Sequence, residues 1–179
     1  LMYSGIVVFT VILSCAQGVQ PIASFNYGAR EYGRVKKIYF FVLVFATLSG
    51  LVLYVFSRFF DTLLIGLFLR DDSLHLLDSA VYALHIYFIS FIFLGFNLVS
   101  SIFLQSIQRP LSSFVVTIAT NLVFVVILLE IFSRIWGLDG VWWSYPLSFV
   151  CASFVTLGVM IFEFRRGSLG KATIAHYNK

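Results

Sequence analysis

Three histidines and two cysteines are the residues of this sequence whose side chains most often do chemistry. His75, His85 and His176 are scattered along the chain, and Cys15 and Cys151 lie in separate apolar stretches without a CxxC pairing. This spacing predicts neither a metal site nor a disulfide framework. Since the sequence also offers no hydrolytic triad and no phosphate-binding glycine loop, we expect no catalytic residues, no enzyme activity and no cofactor.

Amide and hydroxyl side chains recur at helical spacing in two apolar stretches, because residues three, four and seven apart share a helix face. The first stripe comprises Thr10, Ser14, Gln17, Pro21 and Ser24, with Gln20 beside it, and the second comprises Ser90, Asn97, Ser101, Gln105 and Gln108. Two interpretations stay open: the polar groups pack helices together, or the large amides, which are costly to bury unpaired, line a solute cavity. The candidates for cavity-lining residues are Gln17, Gln20, Pro21, Asn97, Ser101 and Gln105.

The composition indicates which elements must hold these stripes. Of 179 residues, 60% are hydrophobic, 18% aromatic and only 11% charged, whereas a soluble domain carries about 25% charged residues. The hydrophobic residues are spread along the whole chain, which excludes a water-soluble domain. The net charge of +4 is too small and too dispersed for a nucleic-acid partner. We expect a multi-pass membrane protein in contact with the lipid bilayer.

Five stretches are suited to cross that bilayer, since a transmembrane helix needs about 20 mainly apolar residues. They cover residues 3–25, 38–57, 81–105, 111–129 and 141–162 and contain no Asp, Glu, Lys or Arg. They are too long and too uniformly apolar for barrel strands. The predicted fold class is all-α, a polytopic transmembrane helical bundle of about five helices that forms a single membrane domain over residues 1–179.

The charges between the stretches predict the orientation. Nine Lys and Arg residues lie in the first connection, the third connection and the tail, against three in the other connections. The positive-inside rule puts the basic side in the cytoplasm, so that the sequence begins outside the cell membrane and ends in the cytoplasm. Because Leu1 leads into apolar sequence without a basic flank, we expect it to be an internal residue of a longer protein.

His85 is the one ionisable residue well within an uncharged stretch, near the outer end of the third span. Two interpretations stay open: it titrates and couples transport to protons, or it is an interfacial ring paired with a neighbour such as Tyr82. Glu130, at the outer end of the fourth span, is predicted to reach the interface towards Arg134. No carboxylate is predicted at mid-membrane, where ion-coupled transporters usually keep one.

The prolines, the short polar stripes and the segment between the second and third spans are expected to have structural roles. Pro110 is expected to open the fourth span in its first turn, and Pro21 to bend the first. The short polar stripes of the fourth and fifth spans favour helix packing. Between the second and third spans, Phe60 to Leu67 recur at helical spacing, which is typical of a segment lying along the interface, with Asp72 or Ser73 capping the next helix.

Three motifs resemble those of one transporter family. Residues 17–30 read QGVQPIASFNYGAR, followed by RVKK at 34–37; residues 67–71 read LFLRD, and residues 137–148 read GLDGVWWSYPLS. These segments are similar to the G-x-Q-P-I-x-x-x-N-Y-G-A, L-F-x-x-D and G-x-x-G-V-W-W-A-x-P-x-S patterns of multidrug and toxic compound extrusion (MATE) transporters. The resemblance covers essentially the whole chain.

The resemblance implies a twelve-helix transporter with two six-helix lobes around a central cleft that opens alternately to either side. The five spans look like helices eight to twelve, so that helix seven and the whole N-terminal lobe, a partner of this part, would be missing. The implied function is secondary active efflux of amphipathic or cationic drugs by antiport against a proton or sodium gradient. Helices eight and ten of the family help to line the cleft, which fits the two amide stripes.

Two alternatives to drug efflux stay open. A lipid-linked oligosaccharide flippase of the same superfamily is expected to hold pyrophosphate with Arg or Lys inside its cavity, and none lies inside these spans. The other alternative is an inactive truncated remnant or a membrane assembly subunit.

Overall fold

The computed structural model describes residues 2–59 and 77–166, and within these ranges the chain is helical, with no strand. This confirms the all-α prediction. The helices are α1 (Met2–Gly28), α2 (Tyr32–Phe59), α3 (Leu77–Ser106), α4 (Pro110–Ile118) and α5 (Phe124–Arg166), with a π-helical turn, Ala119–Val123, between α4 and α5. The predicted interfacial segment from Phe60 to Leu67, the cap at Asp72 or Ser73 and the LFLRD motif lie outside the described residues.

Short turns connect the first helices. Between α1 and α2, Arg30 has a φ of 61°, and the amide of Glu31 donates to the Asn26 carbonyl at 3.0 Å. Between α3 and α4, Gln108 has a φ of 59°, and the amide of Arg109 donates to the Leu104 carbonyl at 2.9 Å. Both turns reverse the chain within a few residues. Pro110 follows in the first turn of α4, as predicted.

A hairpin within α5 separates the last two spans. Gly137 interrupts the helix with φ 59° and ψ −128°, and it divides α5 into a first arm (124–136) and a second arm (138–166). At this apex, a Cβ on Gly140 would lie 1.9 Å from the Phe132 carbonyl oxygen. Ser112 near the start of α4 donates to Glu163 near the end of α5 at 2.6 Å. The second arm therefore runs antiparallel to α4 and the first arm.

α3 lies at the centre of the bundle and contacts α1, α2, α4 and the second arm of α5. Its approach to α2 is close because glycine occurs on both helices. A Cβ on Gly50 would lie 2.7 Å from the Phe91 carbonyl oxygen, and one on Gly95 would lie 3.2 Å from the Ala46 carbonyl oxygen. Helix backbones can meet this closely in a membrane only where side chains are small.

The described helices are long and apolar enough for a membrane. Within the described residues, three helical stretches meet both criteria: Tyr32–Phe59, Val81–Ser106 and Pro110–Arg165. The last is the α4–α5 hairpin, whose two antiparallel sides are each long enough to cross a membrane separately. α1 adds 27 residues without a charged side chain, which at about 1.5 Å per residue also exceeds the ~30 Å hydrocarbon core. This is the architecture of a multi-pass membrane protein.

Basic residues collect at one end of the bundle. That end comprises the end of α1, the start of α2, the α3–α4 turn and the end of α5, and its exposed or half-exposed cations are Arg30, Arg34, Lys36, Lys37, Arg109 and Arg165. The opposite end holds Arg58, the α5 apex and the ion pair of Glu130 with Arg134, which was predicted. We call the first the basic end. The helix order thus brings the charges of alternate connections to the same side.

Candidate solute-facing surface

The first polar stripe lies on the outside of the bundle. Thr10, Ser14, Gln17, Pro21 and Ser24 are all exposed on α1. Its hydroxyls are satisfied within the helix, since Thr10, Ser14 and Ser24 donate to the carbonyls of Ile6, Thr10 and Gln20 at 2.7, 2.7 and 3.0 Å. The Gln17 and Gln20 amides differ from these hydroxyls, because neither amide makes a side-chain hydrogen bond within the described part of the chain. Of the predicted cavity residues, Gln17 and Pro21 are therefore exposed together, with Gln20 half-buried beside them.

Asn97 lies in the interior, where its amide joins α3 to the second arm of α5. It is 1% exposed. Its Nδ2 donates to the Phe149 carbonyl at 3.2 Å and to Ser153 Oγ at 3.1 Å, and its Oδ1 accepts from Thr156 Oγ1 at 2.6 Å. A fourth contact, 3.0 Å from Nδ2 to the Phe93 carbonyl, lies within α3. These bonds use the hydrogen-bonding capacity of the amide for helix packing.

Ser101 and Gln105 join α3 to α4. Ser101 Oγ lies 3.0 Å from Ser113 Oγ and 2.7 Å from Thr117 Oγ1, and Gln105 Nε2 donates to Ser113 Oγ at 3.0 Å. Ser113 in turn donates to the Ser101 carbonyl at 2.9 Å. The hydroxyl stripe of the fourth span thus packs against the second stripe. These contacts agree with the packing interpretation of the fourth span, and they identify Ser101 and Gln105 as the partners of its hydroxyl groups.

A small cavity of about 70 Å³ remains between α1, α3, α4 and the π-helical turn. Asn97 and Ser101 border it from α3, and Thr117, Thr120 and Asn121 border it from the opposite side. Thr120 Oγ1 and Asn121 Nδ2 donate to the Val116 and Thr117 carbonyls at 2.8 and 3.0 Å. These side chains satisfy carbonyls where the helix changes its hydrogen-bonding register. The cavity has room for about two waters, far less than a drug molecule needs.

The structure therefore separates the six cavity candidates. Gln17, Gln20 and Pro21 belong to α1, with Gln20 lining a 20 Å³ space against α2 and α3. Asn97, Ser101 and Gln105 belong to a hydrogen-bonded interface between α3, α4 and α5. Gln17 and Gln105 are both exposed, but Gln105 bonds Ser113, whereas Gln17 makes no side-chain hydrogen bond within the described residues.

His85 is half-buried at the end opposite the basic end, and Arg58 from α2 contacts it. The distance from Arg58 Nη1 to His85 Nδ1 is 2.6 Å. Because a guanidinium only donates, this contact requires Nδ1 to carry no proton. Nearby, Trp143 Nε1 donates to Tyr82 Oη at 3.3 Å, which ties the second arm of α5 to α3.

Glu163 is a buried acid that the sequence analysis did not single out. It is 6% exposed, its Oε2 lies 3.4 Å from Arg109 Nε, and its Oε1 accepts from Ser112 Oγ. It follows the predicted fifth span by one residue, and Arg109 is the lone cation of its connection. A buried charge is stable only with a charged or hydrogen-bonding partner, so this pattern could have indicated an ion pair between the helix ends.

Among the described residues, no group of three or more His, Cys, Asp or Glu side chains is placed to hold a metal ion. Cys15 and Cys151 are free thiols on α1 and α5, both half-buried. The arrangement thus offers interactions of neutral amides, hydroxyls and aromatic rings rather than covalent chemistry.

The fold and this surface define a multi-pass helical membrane protein. The MatE family model matches residues 2–129, and the chain belongs to this family, which confirms the resemblance found in the sequence. A search of curated proteins finds no match.

Solved structures of transporters share the fold. An outward-facing multidrug resistance MATE family transporter of the MOP superfamily superposes with a TM-score of 0.78 at 23% identity, over 89% of this chain and 38% of its own. An inward-facing one gives 0.82 at 21% identity, over 89% and 37%. A MATE in complex with MaL6 gives 0.74 at 21%, over 88% and 38%. The chain thus spans less than two fifths of these transporters.

Proposed function

We propose that this chain is part of a secondary active multidrug transporter that exports amphipathic, often cationic compounds by antiport against a proton or sodium gradient. Membership of the MatE family supports this proposal. The observation on which it chiefly rests is the exposed amide of Gln17 on a helix that crosses the membrane. That amide makes no hydrogen bond in the described residues.

Such an amide is unfavourable against lipid. Burying an unpaired amide in hydrocarbon costs several kcal/mol by transfer scales, so polar residues of membrane helices face protein or water-filled space. Gln17, Pro21 and Ser24 share one exposed face of α1, and Phe25 beside them is 78% exposed. Amide dipoles and an aromatic ring together suit a cation with an apolar body, because the ring attracts the charge while the amide orients it.

We place the coupling acid in the part of the transporter beyond this chain. Glu130 and Glu163, the acids of the described helices nearest to the spans, are each paired with an arginine near a helix end. His85, which contacts Arg58, is the candidate for proton coupling on this chain.

The test is efflux from a drug-sensitive host that expresses the complete gene containing this sequence, with ethidium as the fluorescent amphipathic cation. Gln17→Leu should reduce ethidium efflux by about tenfold, the effect of one lost hydrogen bond to a charged ligand. Gln17→Asn should restore part of it. Ser49→Leu is the control, because its hydroxyl bonds only the Phe45 carbonyl within α2. Unchanged efflux in Gln17→Leu at equal expression would contradict the proposal.

The energy source is tested in the same cells. A protonophore should stop efflux if protons drive it, and replacing sodium by potassium should stop it if sodium does. Efflux that survives both treatments would contradict antiport. The flippase alternative would be supported by two results together. The expressing host would gain no efflux, and deletion of the gene from its native organism would make lipid-linked sugars accumulate.

A further inference from the structure

An open apolar groove of about 370 Å³ runs between α2 and the second arm of α5, with α3 as its floor. Its lining includes Leu43 and Thr47 of α2, Phe93 and Phe96 of α3, and Phe154 and Leu157 of α5. The groove lies near the middle of all three helices, at the depth of the hydrocarbon core. None of the residues that line it belongs to α1, so it is distinct from the polar face of that helix.

On the side of the basic end, the lining of the groove ends at Leu43 of α2 and Leu157 of α5. Beyond these residues, α2 and α5 come together through the rings of Phe40 and Phe164, which stack with centroids 6.3 Å apart. The ammonium of Lys36 lies 5.8 Å from the Phe164 centroid. Phe40 is 54% exposed, so an apolar chain in the groove can continue over it.

Helical periodicity aligns two cations with the groove. Lys36 precedes Leu43 by seven residues and Thr47 by eleven, and Arg165 follows Phe154 by eleven; both separations return to the same helix face. Arg34, by contrast, is nine residues from Leu43, which places it on the opposite side of α2. Glu163, an acid near Arg165 in sequence, is buried against Arg109, and within the described residues Arg165 forms no salt bridge.

The dimensions match one leaflet. Eleven helical residues span about 16 Å, and half of the hydrocarbon core is about 15 Å thick. An acyl chain in the groove would therefore bring its phosphate to the level of Lys36 and Arg165. Lys and Arg near the membrane surface attract anionic headgroups.

We propose that the groove between α2 and the second arm of α5 binds one anionic glycerophospholipid, with an acyl chain on the apolar lining and its phosphate beside Lys36 and Arg165. A phospholipid carries an apolar chain at hydrocarbon depth and an anionic group at headgroup depth, which matches the apolar groove and the two cations. This match favours a phospholipid over a second protein chain as the occupant.

Native mass spectrometry of the complete protein in mild detergent tests the proposal. After delipidation, the protein is titrated with dioleoyl phosphatidylglycerol or dioleoyl phosphatidylcholine. We expect one phosphatidylglycerol to bind about thirtyfold more tightly than phosphatidylcholine, the contribution of two cations near the surface. The Lys36→Gln/Arg165→Gln variant should lose this preference, whereas Arg34→Gln, which removes a charge from the same end, should keep it. Thr47→Phe, which fills the groove, should weaken both lipids.

Several results would overturn the proposal. Equal binding of the two lipids would show that the protein does not contact the headgroup. If Arg34→Gln reduced the phosphatidylglycerol preference as much as Lys36→Gln/Arg165→Gln, the preference would reflect only the positive charge of the basic end. Competition by sn-glycerol 3-phosphate would mean a headgroup site without the groove. If no lipid binds, other protein covers the groove, either the rest of the transporter or a second copy. The charge variant and Thr47→Phe test different halves of the site, so one misfolded variant leaves the other decisive.

Discussion

Thr156 donates a hydrogen bond of 2.6 Å to the amide oxygen of Asn97 across the interface between α3 and the second arm of α5. Thr156 is completely buried, and Asn97 is 1% exposed. The two residues are 59 positions apart in sequence. This contact makes Asn97 a connector between helices, whereas the exposed amide of Gln17 on α1 makes no hydrogen bond within the described residues.

Replacing Asn97 by Leu should therefore destabilise the protein. The change leaves the Thr156 hydroxyl without its partner, whereas Ser153 keeps its bond to the Phe149 carbonyl at 2.8 Å. An unsatisfied buried polar group costs about 1–3 kcal/mol, and interhelical hydrogen bonds in membranes average about 0.6 kcal/mol. Thermal melting in detergent should show a lower Tm. Asn121→Leu is the control, since that amide is exposed and bonds only within its own helix. Equal melting of the two variants would exclude the connector role.

The Arg109–Glu163 pair should show asymmetric effects of mutation. Arg109→Gln leaves the buried carboxylate with Ser112 alone and should cost about 1–2 kcal/mol, less than a fully buried pair because Arg109 is partly exposed. Glu163→Gln keeps an acceptor for Ser112 and frees an arginine that can reach water, so its cost should be below about 1 kcal/mol. The double variant should be more stable than Arg109→Gln alone. A double-mutant cycle on Tm with zero coupling would contradict the pairing.

The hairpin apex should tolerate no side chain at Gly140. A Cβ there would lie 1.9 Å from the Phe132 carbonyl oxygen, so that Gly140→Ala forces the backbone apart and should cost at least about 1–3 kcal/mol. Gly158→Ala on the same arm has nothing within 4 Å of the new Cβ. It should be neutral or stabilising by about 0.5–1 kcal/mol. Expression level and Tm measure both, and a neutral Gly140→Ala would contradict the tight apex.

The α2–α3 contact makes a similar prediction in the middle of the bundle. Gly50→Ala should separate the two helices, since the new Cβ would meet the Phe91 backbone at 2.7 Å, with an expected cost of about 1–3 kcal/mol. Gly18→Ala on α1, where the Cβ meets nothing within 4 Å, is the matched control. A Tm of Gly50→Ala at or above that of Gly18→Ala would show that the helices can adjust without cost.

Orientation can be tested with single cysteines after Cys15 and Cys151 are replaced by Ala. Cysteines at Arg34 and Arg109 should react with a membrane-impermeant maleimide only in inside-out vesicles, because both lie at the basic end, predicted to be cytoplasmic. A cysteine at Asp139, at the apex of α5, should react in intact cells. Labelling of all three from one side would contradict the arrangement.

The sequence by itself determined the class of structure. Uncharged stretches of about 20 residues allow only helices in a bilayer, because each backbone group must be bonded within its own segment. The pairing of Glu130 with Arg134 and the place of Pro110 also followed from local spacing, since contacts four residues apart and first-turn positions depend on one helix alone. Most of the family motif around Gln17 likewise lies within one helix, since α1 extends to Gly28.

Only the tertiary structure decided which of the polar stripes has hydrogen-bonding partners on other helices. The stripes of α1 and α3 have similar polar patterns, yet Asn97 bonds Thr156 and Gln17 makes no side-chain hydrogen bond within the described residues, because the neighbours of a helix face come from distant parts of the chain. The same reason hides the partners of Glu163, the close approach at Gly50 and the contacts of Phe40 and Lys36 with Phe164. Periodicity defines a face, and packing determines what that face touches.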